Sequence, residues 1–227
     1  MTTRGEKQFI QLPKFAARLY DNLTSVKGVN KSFDQIAEFI TSAVSQGKLL
    51  DIGTGPGRLL AEIYTKNPQL ELYGLDISSS MVELARHNLE TIHTDLRVGN
   101  IRQTDFADSF FDCVICSGSF YLWDEPVQGL NEIYRILKPR MKAYLFESNR
   151  EHDKKELNIR LNENLRGYGI IRRFLSRYFM RKQLRMTYSS TEIGKIISQS
   201  KFQNQYGIYK MELGNLPIWL RIELQKI

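Results

Sequence analysis

The sequence predicts an α/β protein built on a doubly wound, mostly parallel sheet, and three observations carry that prediction. Strand-length apolar runs alternate with helix-period segments from Lys31 to Glu147. The first of these runs ends in a glycine turn that opens directly into a helix. The second ends at an acidic residue, Asp76, followed by serines able to cap the next helix.

Taken in order, Lys31 to Ser45 reads as a helix, with Phe33, Ile36, Ile40 and Ala43 at helical spacing and Ser32 and Gln35 placed as a capping box. A strand at Lys48 to Ile52, the turn Gly53 to Gly57 and a helix at Leu59 to Thr65 follow. The alternation continues with a strand at Leu70 to Leu75, a helix from the Ser78-Ser79-Ser80 cluster to about Leu89, and a strand near Asp95 to Val98. Next come a strand near Asp112 to Cys116, a helix at about Pro126 to Leu137 and a strand at Lys142 to Glu147. After a polar, basic stretch, a helix at about Ser190 to Ser198 precedes two strands, Gln205 to Met211 and Ile218 to Leu224. Gly214, Asn215 and Pro217 are the turn signals between those strands. The predicted architecture is Rossmann-like, with seven strands, helices on both faces and a helical cap insertion. Its parts are an N-terminal helical lid over residues 1–46, a core over 47–148 and 188–227, and a basic cap over 149–187, all within one domain.

The bulk properties narrow the class further. A chain of 227 residues with 42% hydrophobic and 25% charged residues suits one globular domain. The N-terminus lacks a signal-like apolar core and no stretch approaches bilayer length, which predicts a cytoplasmic protein. Cys113 and Cys116 fall in one apolar strand, where a spacing of three turns their side chains to opposite faces, so they read as core thiols and no metal site is expected. The net charge of +7 is concentrated: residues 151–187 hold ten Lys or Arg against four Asp or Glu, leaving +1 for the rest.

The chemistry is carried first by Asp51-Ile52-Gly53-Thr54-Gly55-Pro56-Gly57. Glycines at alternate positions let a ligand approach the backbone, and Arg58 stands where a dinucleotide fingerprint needs its third small residue, which disfavours NAD. A pyrophosphate gains nothing from the Asp51 carboxylate, whereas a cationic ligand such as S-adenosylmethionine, with a sulfonium and an ammonium group, does. Asp51 also fits a plain turn cap. Asp76, 19 residues beyond Gly57, sits where a carboxylate accepts ribose hydroxyls, and it can cap the next helix as well.

With these motifs the sequence resembles the class I S-adenosylmethionine-dependent methyltransferases, especially the branch of ubiquinone and menaquinone C-methyltransferases and small-molecule enzymes. The resemblance covers about residues 15–148 and 188–224. It includes Gly74-Leu75-Asp76-Ile77-Ser78 and the run from Phe106 to Arg135-Ile136-Leu137-Lys138-Pro139. It implies that Gly53, Gly55 and Gly57, with Thr54 and Pro56 between them, line the methionine and ribose. Asp76 would bind the ribose, Ile77 and Met81 would pack near the adenine, Asn100 and Ile101 would flank it, and Ser117 would approach the methionine end. Tyr20-Asp21 resembles a lid pair. Two departures stand out: Arg140-Met141 replaces the family's Gly-Gly, and Tyr121-Leu122 replaces histidines often found there.

No catalytic base is assigned, because the sulfonium already activates the methyl group and alignment supplies much of the rate. Phe120, Tyr121 and Trp123 are candidates for an acceptor pocket or for packing, and His152 for a base or a solvent-exposed helix start. In the basic insertion, Ile170, Ile171, Phe174, Leu175, Tyr178 and Phe179 repeat at helical spacing while Arg173, Arg177, Arg181 and Arg185 recur every four residues. Three readings stay open for this segment: a solvated cap, a site for an anionic or lipid-like small-molecule acceptor, and a surface for an anionic membrane or nucleic acid. Small-molecule methylation is the favoured function. RNA methylation and a non-catalytic nucleoside-binding role are the alternatives, the former disfavoured because Cys116-Ser117-Gly118-Ser119-Phe120 lacks an Asn-Pro-Pro-Tyr type motif.

Overall fold

The computed structural model describes residues 27–227. Helix α1 (Lys27–Ala43) leads into strand β1 (Gly47–Ile52), helix α2 (Arg58–Lys66), β2 (Leu70–Asp76), α3 (Ser79–Asn88), β3 (Thr94–Val98) and β4 (Phe111–Ser117). A short 3-10 turn (Phe120–Leu122) precedes α4 (Pro126–Ile136) and β5 (Leu137–Ser148). Then come α5 (Lys154–Asn164), α6 (Ile170–Met186), α7 (Ser190–Ile197), β6 (Tyr206–Leu213) and β7 (Leu216–Gln225).

The seven strands form one sheet in the order β3-β2-β1-β4-β5-β7-β6. The first five are parallel neighbours, and β7 runs antiparallel to both β5 and β6. The predicted Rossmann-like, mostly parallel seven-stranded sheet is therefore the observed one. Chain order reverses between β1 and β4, the place where doubly wound sheets bind ligands, outside the carboxyl ends of the strands.

Alternation along the strands divides the core between two faces. Leu49, Cys113, Ile115 and Phe146 pack with Ile36 and Ile40 of α1 and Leu60 and Ile63 of α2. Leu50, Val114, Cys116 and Leu145 pack on the other face with Leu130 and Ile133 of α4 and Ile193 of α7. Each fully buried Leu or Ile contributes about 1.5–3 kcal/mol by removal from water. Cys113 and Cys116 are free, buried and on opposite faces, as their spacing requires.

Several local expectations are corrected. Ser32 lies inside α1, where its hydroxyl donates to the Gly28 carbonyl at 2.9 Å, so the Ser32–Gln35 capping box does not form. Gln35 instead accepts a hydrogen bond from Gly214 N at 2.7 Å. A capping box does form at Ser189 and Glu192, at the start of α7. Pro217 is the second residue of β7 rather than part of the preceding turn, which is the two-residue Gly214-Asn215 with φ of 58° and 64°. Both values suit a hairpin turn of the primed type.

The hairpin tip fastens distant segments. Asn164 of α5 donates to the Gly214 carbonyl at 2.7 Å, and Asn215 bonds Glu163 and Arg160. A Cβ on Gly214 would collide with the Gly28 carbonyl of α1. α1, the described part of the expected lid, is thus a core helix: Ile36, Ala37 and Ile40 are fully buried.

Arg135 and Lys138, from the run that carries the resemblance, hold the frame. Arg135 joins Glu132 on its own helix to Asp108 and to the Phe106 carbonyl, and Lys138 pairs with Asp112 at 2.7 Å. Where the family has Gly-Gly, Arg140 adopts φ 66° and its N–H donates to the Lys226 carbonyl at 2.9 Å. An exposed arginine therefore makes a left-handed turn into the paired part of β5.

Candidate functional site

The strand registers place Ile52 beside Leu75 on one side and Cys116 on the other. The carboxyl ends of β2, β1 and β4 therefore lie next to one another. Asp76, the Gly53–Gly57 turn and Ser117 lie there, at the ends of three neighbouring strands.

The turn is shaped by backbone geometry. Gly53 and Thr54 both donate to the Leu75 carbonyl, at 2.7 and 3.2 Å, and Gly57 N donates to the Thr54 carbonyl at 3.0 Å before starting α2. Gly53 has φ 71°, and a Cβ there would overlap the Ser119 side chain. Gly55 has φ 52°, but a Cβ on it, like one on Gly118, would meet no atom within 4 Å. One glycine is thus required by close packing. Gly55 and Gly118 border open space in front of the strand ends, as a ligand cradle requires, whereas a Cβ on Gly57 would press on Leu89.

Two carboxylates flank this space. Asp76 Oδ2 accepts from Gly55 N and Oδ1 from Ser78 N, both at 2.9 Å. Burial raises its pKa above the ordinary carboxylate range, and the two backbone N–H groups partly offset that rise. Each oxygen keeps acceptor capacity for a further donor. Asp51 is only 2% exposed. Burial pushes its pKa up to about 7; the Thr54 hydroxyl lowers it and the nearby Asp76 charge adds to the rise. A buried carboxylate near neutrality has a strong electrostatic reason to accept a cationic partner.

The adenine-side candidates also take defined positions. Ser78 caps α3 by accepting from Met81 N, Met81 and Ile101 are buried, and Ile77 is half-buried. Asn100 uses its side-chain oxygen to accept from Arg102 N at 3.0 Å, which fixes the turn after β3. Pro56 is half-buried, and its carbonyl accepts from the Asn88 amide. Tyr20 lies outside the described residues.

After β4 the chain turns inward. Phe120, Tyr121 and Trp123 are buried, with Phe120 edge-on to Trp123 at 5.0 Å and tilted against Tyr188 at 5.7 Å. Leu122 is the exposed residue of that loop. His152, at the start of the insertion after β5, places Nδ1 3.1 Å from the Asn149 carbonyl.

Two residues at this site were not expected from the sequence. Ser119 donates to the Ile52 carbonyl at 3.1 Å and lies 3.0 Å from the Cys116 sulfur, filling the space under Gly53. Glu147, 2% exposed at the end of β5, accepts from Phe120 N at 2.7 Å and so anchors the aromatic loop. Only its place beside β4, across a parallel pair, could have hinted at this role. Burial and the Glu147 charge raise the Cys116 pKa well above that of an ordinary thiol, which makes it a poor nucleophile.

Residues 50–145 match the family described as methyltransferase domain. The chain is 31% identical over 105 residues to an uncharacterized methyltransferase, YdaC, of Bacillus subtilis, covering 46% of this chain and 58% of that protein. It is 29% identical over 154 residues to the ubiquinone/menaquinone biosynthesis C-methyltransferase UbiE of Geotalea daltonii, covering 65% of each. The chain thus spans less than two thirds of the length of these curated relatives. A solved S-adenosylmethionine-dependent methyltransferase from Aquifex aeolicus superposes with a TM-score of 0.67 at 14% identity, over 95% of this chain and all of that one. Segment 50–145 thus matches the methyltransferase-domain family, and the chain shares its fold with a solved S-adenosylmethionine-dependent methyltransferase.

Proposed function

We propose that this protein transfers a methyl group from S-adenosylmethionine to a small-molecule acceptor, leaving S-adenosylhomocysteine. The observation that carries the reading is the pairing of a buried carboxylate, Asp51, and a half-buried one, Asp76, with open glycine backbone at the carboxyl ends of β1 and β4. In this reading Asp76, held by Gly55 and Ser78, accepts the ribose hydroxyls, and Asp51 attracts the positive methionine end. Gly53, Thr54, Gly55, Pro56 and Gly57 form the cradle, with Ser117 at the methionine end. Ile77, Met81, Asn100 and Ile101 enclose the adenine.

S-adenosylmethionine, when bound, supplies a methyl group already activated by its sulfonium. The chain's own residues then hold the donor, position the acceptor for in-line attack and exclude water. Phe120, Tyr121 and Trp123, fixed by Glu147 and Tyr188, form the rigid wall of the acceptor side, and residues 149–187 form the cap. A small, apolar, quinone-like acceptor agrees with the relative named for ubiquinone and menaquinone biosynthesis.

Calorimetric titration with S-adenosylmethionine and S-adenosylhomocysteine tests this reading. Binding should weaken by more than about tenfold in Asp76→Ala, a loss of at least about 1.4 kcal/mol, and NAD should not compete. Absence of binding to the folded wild-type protein would sink the reading.

A further inference from the structure

Helix α6 presents its apolar residues to solvent. Ile170 is 84% exposed, Ile171 78% and Phe174 69%, with Tyr178 and Phe179 exposed beside them. These side chains lie one helical turn apart along one half of the helix, and the Tyr178 and Phe179 rings touch edge to face at 5.7 Å. The opposite half faces the protein. There Leu184 is buried and Met180 packs against Leu157 and Leu161 of α5. Arg177 bonds Asn162, and the Arg172 guanidinium lies over the Tyr168 ring. The most apolar turns of the helix thus face solvent, the reverse of a helix that packs by its apolar residues.

Its charge accompanies that exposed surface. α6 holds six Lys or Arg and no Asp or Glu. A four-residue repeat drifts by about 40° per step on a helix with 3.6 residues per turn. The series Arg173, Arg177, Arg181, Arg185 therefore winds from the protein side to the outer side, where Arg181, Lys182 and Arg185 are exposed beyond the apolar turns. The outer surface is apolar in its first turns and cationic in its last.

We propose that α6 docks on an anionic lipid bilayer and lies in the plane of the interface. Ile170, Ile171, Phe174 and Phe179 enter the acyl boundary, and Lys182 and Arg185 meet the headgroups. No helix among the described residues is long and apolar enough to cross a membrane. A second copy seated on this face would bring two strongly cationic helices together. Nucleic acid would satisfy the arginines but leave Ile170 and Ile171, the most exposed apolar residues, without an apolar partner. An anionic bilayer satisfies both halves of the surface. This inference rests on α6 alone and is independent of the methyl-transfer reading.

Cosedimentation of the full chain with vesicles made of equal parts phosphatidylcholine and phosphatidylglycerol tests it. The protein should pellet with these vesicles and bind phosphatidylcholine alone about tenfold or more weakly. Ile171→Glu with Phe174→Glu, and separately Lys182→Glu with Arg185→Glu, should each reduce binding by about tenfold or more while circular dichroism stays unchanged. Phe174→Trp should show blue-shifted emission only with the anionic vesicles. The proposal is overturned by no pelleting with anionic vesicles, by pelleting that survives the Ile171/Phe174 change, or by a dimer seen by light scattering that this change dissolves. Salt-sensitive RNA binding without vesicle binding would also overturn it.

Discussion

Asp76 Oδ2 accepts a 2.9 Å hydrogen bond from Gly55 N, so the carboxylate ending β2 holds the turn that follows β1. Its other oxygen holds Ser78 N at the start of α3. One side chain thus ties together two βα junctions and faces the space between them.

Asp76→Asn replaces one acceptor with a donor and leaves Gly55 N or Ser78 N without its partner. We expect a stability loss of about 1–3 kcal/mol in urea denaturation. S-adenosylmethionine affinity should fall as well. A variant with unchanged stability would show that these bonds do not hold the turn.

The raised pKa of Asp51 gives two pH effects of opposite sign. The folded state keeps its proton up to about 7, against an ordinary value of 3.8, so stability falls as pH rises through that window. Asp51→Asn should flatten this slope in thermal unfolding curves. A cationic ligand favours the ionised form, so affinity for S-adenosylmethionine should increase between about pH 5 and 7, by up to about tenfold per unit. Calorimetry on the Asp51→Asn variant should lose that dependence.

Gly53 and Gly55 differ in what a methyl group would meet. Gly53→Ala forces a Cβ into Ser119 at a positive φ and should cost about 2–4 kcal/mol, part of it recovered by Ser119→Gly. Gly55→Ala points into open space and should cost only about 1–2 kcal/mol, from backbone strain. It should nevertheless weaken donor binding, because the methyl occupies the cradle. Paired unfolding and binding measurements separate the two effects.

Arg140 holds φ 66° at an exposed turn where the family has glycine. Arg140→Gly relieves left-handed strain but adds freedom to the unfolded chain, so a net gain of about 0.5–1 kcal/mol is expected in urea denaturation. Destabilisation would mean that the Arg140 side chain contributes more than its backbone strain costs.

The strand-turn-helix opening, the ends of β2 and β4 and the opposite-facing cysteines were legible in the sequence, because periodicity and turn preferences are properties of neighbouring residues. Asp51, Gly53, Gly55, Asp76 and Ser117 lie at neighbouring strand ends, since a parallel sheet aligns them. Packing decided the rest. Ser119 reaches Ile52 across 67 residues of chain, and Gln35 reaches Gly214 across 179. Helical spacing showed that α6 has an apolar side, but not which way it turns. Only the seat of Leu184 and Met180 against the rest of the protein decided that Ile170, Ile171 and Phe174 face outward, because a helix's rotation is set by what it packs against.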